Sequence, residues 1–503
     1  QLARREGGLW MIPSSRITQL KSEARFAGRG AALDAPYDRS PLLPLYATAP
    51  GLNKAASLAE DALCTARLPD VDCQHRPGLP TKAKALIEQG MAVVLRGGAG
   101  SIFPAGVARW GDASFMDREL QHTRCHVLVS QPSSKWGEKR FKYWRDEKEP
   151  SQADRVPGGY EFKPPIKQEH MPGAKFFARS RKAVGAAGSG ETLYLQHTLL
   201  SPDQNRNGQL SPTGSFGSEL SRDLSSIDGS RIAAICTAGG FGPPARCQLF
   251  VGASAAAGAR TVTHFDQYDN VFLQLAGRKT FLLFDPLQTG ALAPYPIHHP
   301  LDRSCRVSLE APLSACEFPR AASAQGCKVT LGPGDALCMP AYWWHEVITE
   351  PMEEEEANGG AHDDAVLTTS LNFWFSPIHR MLQPSLPLSP SLRVEFARQL
   401  EFLVCDALND EPRHVQRFCA ALNAQLAAIA DGECDDRFVR ADDTTSVWAE
   451  LQALRPDGVE LEAWAGLFEY VCAKGAHLLG AGQVRPFAAD LLNPERFEGL
   501  ARA

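Results

Sequence analysis

Thr261-Val-Thr-His-Phe-Asp266 is the stretch on which the reading of this chain turns. His264 and Asp266 stand two residues apart, the spacing that on a β-strand turns both side chains to one face. One imidazole and one carboxylate can then grip a single metal ion. A third donor has to arrive from another strand, and Trp343-Trp-His345 supplies it. Two His and one carboxylate on one face of an octahedral ion leave three positions open, the facial arrangement used with non-haem Fe(II), whereas zinc more often sits in a tetrahedral site with one open position. His-x-Asp alone is a weak signal, so its surroundings decide.

Working outward, the chain from Arg231 to about Phe375 is rich in strand-length apolar runs. Cys247-Gln-Leu-Phe-Val251, Val271-Phe-Leu-Gln-Leu275 and Lys279-Thr-Phe-Leu-Leu-Phe284 are three of them, and Ala276-Gly277-Arg278 is expected to join the last two as a hairpin. Val329 to Met339 predicts another strand, broken at Gly332-Pro-Gly-Asp335, and Val366 to Phe375 one more. Several short strands with a metal site split between them predict a mainly β protein with helices (α+β), its core a double-stranded β-helix of the cupin or jelly-roll type. Upstream, a helix is expected near Pro80 to Gln89 and a strand at Met91-Ala-Val-Val-Leu-Arg96. Beyond Pro384 the period turns helical: Leu392, Phe396, Leu400, Leu403 and Ala407 share one face, as do Val415, Phe418, Leu422, Leu426 and Ile429. Further helices are expected over Val447 to Leu454 and Val459 to Leu479.

The division expected is a leader over 1–78, a catalytic domain over 79–380 and a helical region over 381–503. Residues 131–175 are charged, aromatic and Pro-rich and read as surface connections, and 201–230, polar and without apolar period, as an inserted loop. Residues 1–35 carry Arg4, Arg5, Arg16, Lys21, Arg25 and Arg29 with few acids, a composition shared by solvated leaders and organelle transit segments; a leader is the expectation. Glu353-Glu-Glu-Glu356 through Asp363-Asp364 reads as a solvated acidic insert, and His298 and His299, flanked by Pro, as structural.

With 503 residues, 44% of them hydrophobic, the chain can bury a large core. Its net charge of −6 offers no general field for nucleic acid or an anionic membrane, so neither is expected as a partner. Thirteen cysteines without a C-x-x-C pair argue against a disulfide framework and a structural zinc, and for a reducing compartment, cytoplasmic or nuclear.

An oxygenase that uses a dicarboxylate co-substrate must neutralise its far end inside an apolar barrel, and Lys279 beside Phe281 and Leu282 can do so. Here the motifs accumulate. His264-Phe-Asp-Gln-Tyr-Asp-Asn270, Gly277-Arg-Lys279, Phe284-Asp-Pro286, Tyr295-Pro-Ile-His-His-Pro300, Gly332-Pro-Gly-Asp335, Trp343-Trp-His345, Leu371-Asn-Phe-Trp374 and the upstream Leu193-Tyr-Leu-Gln-His-Thr-Leu199 occur in order. Together they resemble the JmjC-type 2-oxoglutarate oxygenases, and among them the asparaginyl hydroxylases of the factor-inhibiting-hypoxia-inducible-factor type, over roughly Leu79 to Ile429.

The resemblance implies that His264, Asp266 and His345 bind Fe(II), that Lys279, Tyr194, Thr261, Asn270 and Asn372 surround 2-oxoglutarate, and that Gln196, Arg303 and Trp374 line a peptide site. It implies O2 as second co-substrate, a protein or peptide substrate, and a homodimer formed through the C-terminal helices. Two departures bear on substrate choice. Ser304 stands where the asparaginyl hydroxylases carry a glutamine that helps hold the target amide, and Tyr268 where they carry another substrate-side glutamine, so the resemblance implies that a site built for asparagine has been altered. Lysine demethylation, the same chemistry on an N-methyl carbon, and a non-catalytic cupin scaffold are the competing readings.

Overall fold

A computed structural model describes residues 68–500 apart from 75–77, 131–139, 142–165, 186–190, 204–208, 253–257, 308, 310–317, 351–366, 409–411, 429–454, 456–458 and 460. The expected leader before residue 68, the acidic insert, most of 131–165 and the helix expected over 447–454 lie outside the described residues. In chain order the strands are β1 (Asp70–Asp72), β2 (Val93–Arg96), β3 (Arg124–Ser130), β4 (Arg140–Phe141), β5 (Lys167–Pro172), β6 (Thr192–Asp203), β7 (Gln209–Pro212), β8 (Pro244–Gly252), β9 (Arg260–Phe265), β10 (Asp269–Ala276), β11 (Lys279–Phe284), β12 (Gly326–Leu331), β13 (Ala336–Met339), β14 (Trp344–Thr349) and β15 (Thr368–Phe375).

They form two sheets, the cupin-like architecture expected. The large sheet runs β1-β2-β13-β10-β15-β8-β6-β3-β5, with β7 paired to β6, and the small one runs β12-β11-β14-β9-β4. Strand period explains what each face of the large sheet does. In β8, β10 and β15 the residues Cys247, Leu249, Val251, Val271, Leu273, Leu275, Leu371, Phe373 and Phe375 all join one buried core. That core also takes Ile87, Met116, Phe176, Leu220 and Ile235 from helices α1 (Thr81–Glu88), α2 (Ala113–Leu120), α3 (Gly173–Gly185), α4 (Ser218–Ser225) and α5 (Gly229–Gly239). Each such side chain withdrawn from water contributes roughly 1.5–3 kcal/mol. The alternate residues, Arg246, Gln248, Phe250, Asn270, Phe272, Asn372 and Trp374, turn to the other face, where the cavity lies.

Three sequence readings need correction. Ala276-Gly277-Arg278 does not close a hairpin: β10 pairs with β13 and β15, and β11 with β12 and β14. Gly277, at φ 64°, turns the chain from one sheet into the other, and each strand becomes an inner strand of its own sheet with two antiparallel partners. Gly332-Pro-Gly-Asp335 makes the same passage between β12 and β13, capped by Asp335, whose carboxylate accepts from the Gly332 and Gly97 N–H groups and from Arg96. The described residues of 201–230 do not form one loop. They hold the end of β6, β7, α4 and the start of α5, and polar residues serve there as caps and exposed faces, with Asp228 accepting from the Ser230 and Arg231 N–H groups. Phe141, read as surface, is buried with Tyr194 and Phe250.

The C-terminal helices α6 (Pro390–Ala407), α7 (Pro412–Ala428), α8 (Leu461–Leu479) and α9 (Val484–Leu491) build a second core. Phe396, Leu400, Val404, Val415, Phe418, Leu422 and Leu426 pack there on Trp464 and Phe468, so the apolar stripes are covered within the chain. The stripe of α6 is rotated from its expected position: Val404 is buried and Ala407 exposed. Among the described residues no helix is long and apolar enough to cross a membrane.

Candidate active site

Between the sheets lies a cavity of about 770 Å³, and every site residue expected from the sequence lines it: His264, Asp266, His345, Lys279, Tyr194, Thr261, Asn270, Asn372, Gln196, Arg303 and Trp374. His264 and His345 face each other across the β9–β14 ladder as register partners, with ring centroids 4.3 Å apart. Next to them the register slips, Thr261 pairing with Val347, so β9 holds one residue more than β14 over this interval. This bulge is why Thr261 and His264, three apart, both line the cavity. It also lets the Thr261 hydroxyl accept from the Val347 N–H at 3.1 Å.

Both imidazoles are oriented by backbone. His264 Nδ1 lies 2.7 Å from the Val262 carbonyl and His345 Nδ1 3.0 Å from that of Trp343. A carbonyl only accepts, so each Nδ1 carries the proton and each Nε2 keeps a lone pair, the form in which histidine binds metal. Burial pushes the His264 imidazole down to about 3, with neighbouring His345 lowering it further against the opposing pull of Asp266, so the ring is neutral at ordinary pH. His345 Nε2 stands 4.0 Å from Asp266 Oδ2. Neighbouring donors on one ion with bonds of about 2.1 Å sit roughly 3 Å apart, so the side chains would close by about 1 Å on a metal. In keeping with that spacing, no ready-formed trio of metal donors occurs among the described residues. The donor set, two neutral imidazoles and a carboxylate on one wall, fits a ferrous ion.

Lys279 opens β11 and is 1% exposed. Its ammonium donates to Tyr194 Oη at 3.0 Å and sits 5.3–5.6 Å from the ring centroids of Tyr194, Phe250 and Phe272. No carboxylate pairs with it among the described residues. Burial therefore lowers its pKa to about 7. Asn372 donates to Asn270 Oδ1 at 2.8 Å, and Asn270 donates to the Tyr268 carbonyl at 2.8 Å. That leaves Asn372 Oδ1, Gln248 Oε1 and Trp374 Nε1 buried without a hydrogen bond. A buried cation without an anion, amid unsatisfied polar atoms, is costly unless a polar ligand completes it.

Toward the other end, Tyr268 and Trp374 stack with centroids 5.6 Å apart and planes 6° from parallel, and the Arg246 guanidinium lies 4.2 Å over the Trp374 ring. Arg303 adopts the left-handed backbone (φ 70°) between Asp302, whose carboxylate Arg398 of α6 grips with two nitrogens, and Ser304, bridged to His264. Arg124, His126, His170, His197, Arg246 and Gln248 were not anticipated as lining residues. A signal existed for two of them: Arg246 and Gln248 are the polar members of an alternating strand whose other members are Cys247, Leu249 and Val251. His298 and His299 lie outside the cavity; His298 Nε2 meets the Glu401 carbonyl at 3.2 Å.

Two sheets enclosing a cavity with a His/Asp/His wall define a protein of the cupin class. A profile of the cupin-like domain matches residues 81–381, and the chain belongs to that family. It is similar to a protein of Arabidopsis thaliana named lysine-specific demethylase JMJ31, 32% identical over 119 residues, or 23% of this chain and 19% of that one. It is similar also to human HSPB1-associated protein 1, 29% identical over 257 residues, 47% of this chain and 46% of the relative, and to human tRNA wybutosine-synthesizing protein 5, 30% identical over 93 residues, 18% and 28%. The chain thus spans less than half the length of each of these relatives.

Proposed function

We propose that this protein is an Fe(II)- and 2-oxoglutarate-dependent dioxygenase that hydroxylates a side chain of a protein segment, with Asn, Asp and His as the candidate targets. The observation that carries the reading is the buried, carboxylate-free ammonium of Lys279 sharing a cavity with the His264, Asp266 and His345 donor set. When bound, ferrous iron, 2-oxoglutarate and O2 supply oxidising chemistry that places one oxygen atom in a C–H bond and the other in succinate, with release of CO2. The chain's own residues bind and position. His264 Nε2, His345 Nε2 and Asp266 hold the ion. Lys279 and the Tyr194 hydroxyl take the far carboxylate of the co-substrate, and Thr261, Asn270 and Asn372 add neutral hydrogen bonds. Phe250, Phe272, Phe281 and Met339 keep this part of the cavity dry. Gln196, Arg303 and Trp374 line the part left for a substrate segment.

Demethylation is the second reading, since one relative bears that name. Arg246 speaks against it. A methylammonium is held over aromatic faces, and the Trp374 face that could offer one is covered by a guanidinium, which repels a second cation. The test is anaerobic titration of the Fe(II)-loaded protein with 2-oxoglutarate, followed by mass spectrometry of peptides incubated with both and air. A visible charge-transfer band and a gain of one oxygen on Asn, Asp or His are expected. Loss of a methyl group from lysine would replace the reading with demethylation, and absence of the band would leave a binding scaffold.

A further inference from the structure

We infer that the substrate segment is acidic: Arg124, Arg246 and Arg303 all line the cavity, and among the described residues no carboxylate pairs with any of the three. This rests on the oxygenase reading for its location, and on charge for its content. Among the described residues the cavity is lined by two carboxylates, Asp266 and Asp302, and Asp302 is already gripped by Arg398. With the cofactors in place, Lys279 and a divalent ion offset Asp266 and the two carboxylates of the co-substrate. The three guanidiniums remain as the net charge of the wall, in a chain whose overall charge is −6.

Their settings suit a carboxylate. The Arg246 guanidinium sits over the Trp374 ring at 4.2 Å, and a guanidinium held on an aromatic face keeps N–H donors for a planar anion. Arg303 is fixed by its left-handed backbone and by the 3.0 Å bond from the Phe265 N–H to its carbonyl. Arg124 is exposed at the start of β3, on the same wall as His126 and His170. Burial lowers the His126 and His197 pKa values, the latter to about 4, so the standing charge belongs to the arginines. Nucleic acid, the other polyanion, is bound through many phosphates along an extended basic surface, and the acidic chain as a whole supplies no such field. An acidic peptide needs only this local wall.

The experiment uses the full chain loaded with Mn(II) and 2-oxoglutarate and measures fluorescence anisotropy of labelled peptides of repeating Glu-Ala-Asn-Ala, Gln-Ala-Asn-Ala and Lys-Ala-Asn-Ala, with oligouridylate RNA alongside. The Glu peptide is expected to bind about tenfold tighter than the Gln peptide, and the Lys peptide weakest. Arg124→Glu, at an exposed position where folding is not at stake, and Arg246→Glu should each narrow or invert that order, while Arg124→Lys keeps it. Equal binding of the three peptides, preference for the Lys peptide, an order unchanged in the Arg124→Glu, Arg246→Glu double variant, or tighter binding of the RNA would each overturn the inference. Running the series also without metal separates the two ideas: failure of Mn(II)-dependent 2-oxoglutarate binding sinks the oxygenase reading, whereas the peptide order reports on the arginine wall alone.

Discussion

Lys279 is the residue on which binding of the co-substrate rests, because a fully buried ammonium has given up water for a hydroxyl and three aromatic rings. Replacing it with Ala removes the buried cation beside the expected far carboxylate and should weaken 2-oxoglutarate binding by about 3 kcal/mol, roughly a hundredfold, in a calorimetric titration with Mn(II) present. Its lowered pKa, about 7, has a sign that can be checked. In the free protein at about pH 8 the amine is largely neutral; a bound carboxylate favours the charged form, so binding should take up close to one proton there and almost none below about pH 6. Titrations in buffers of different ionisation heat measure that uptake, and Lys279→Met should abolish it. For the ligand-free fold, the unfolded chain holds this proton between about 7 and the ordinary lysine value while the folded chain does not, so stability from this group grows as pH rises through that window. His264, Asp266 and Lys279 were legible because strand period and ligand chemistry are written locally. Arg246 was marked only as a polar member of an alternating strand, and Arg124 not at all, because nothing local says that residues more than a hundred positions apart line one cavity.

At the scale of elements, the positions of the strands were readable from apolar alternation, but their partners were not. A run such as Val271–Leu275 states that it is a buried strand and leaves open which strand it joins; here the long-range pairs with β13 and β15 prevail over the adjacent β11. The passage between sheets depends on Gly277. A Cβ there would fall 2.5 Å from Thr368 Oγ1 and 3.0 Å from its Cα, on top of the unfavourable positive φ. Gly277→Val should therefore cost about 2 kcal/mol or more in urea denaturation, and it should loosen the site as well, because Lys279 lies two residues on. The bulge in β9 escaped sequence reading for a related reason: an extra residue is visible only against the strand opposite. The polar stretch 201–230 misled because short capped helices and an edge strand share their composition with loops.

At the scale of the whole molecule, the two largest of the buried clusters carry distinct tasks. The sheet-and-helix core fixes the cavity, and the C-terminal helices fold around Trp464, Phe418 and Phe468. Trp464→Ala should destabilise that second core by about 3–5 kcal/mol, read as an earlier thermal transition, with 2-oxoglutarate affinity retained below it. The helical period of this region was legible; its consequence was not. The apolar stripes are covered inside the chain, whereas the homodimer was expected from the resemblance alone; among the described residues of these helices Tyr470 is the large apolar side chain left exposed.

The grip of Arg398 on Asp302 crosses the point where the cupin-like match ends, at residue 381. Trimming the chain at that boundary would therefore strand a carboxylate next to Arg303 and let it neutralise the very guanidinium awaiting an outside anion. A minimal catalytic fragment could then keep its iron and co-substrate and yet lose its taste for the peptide.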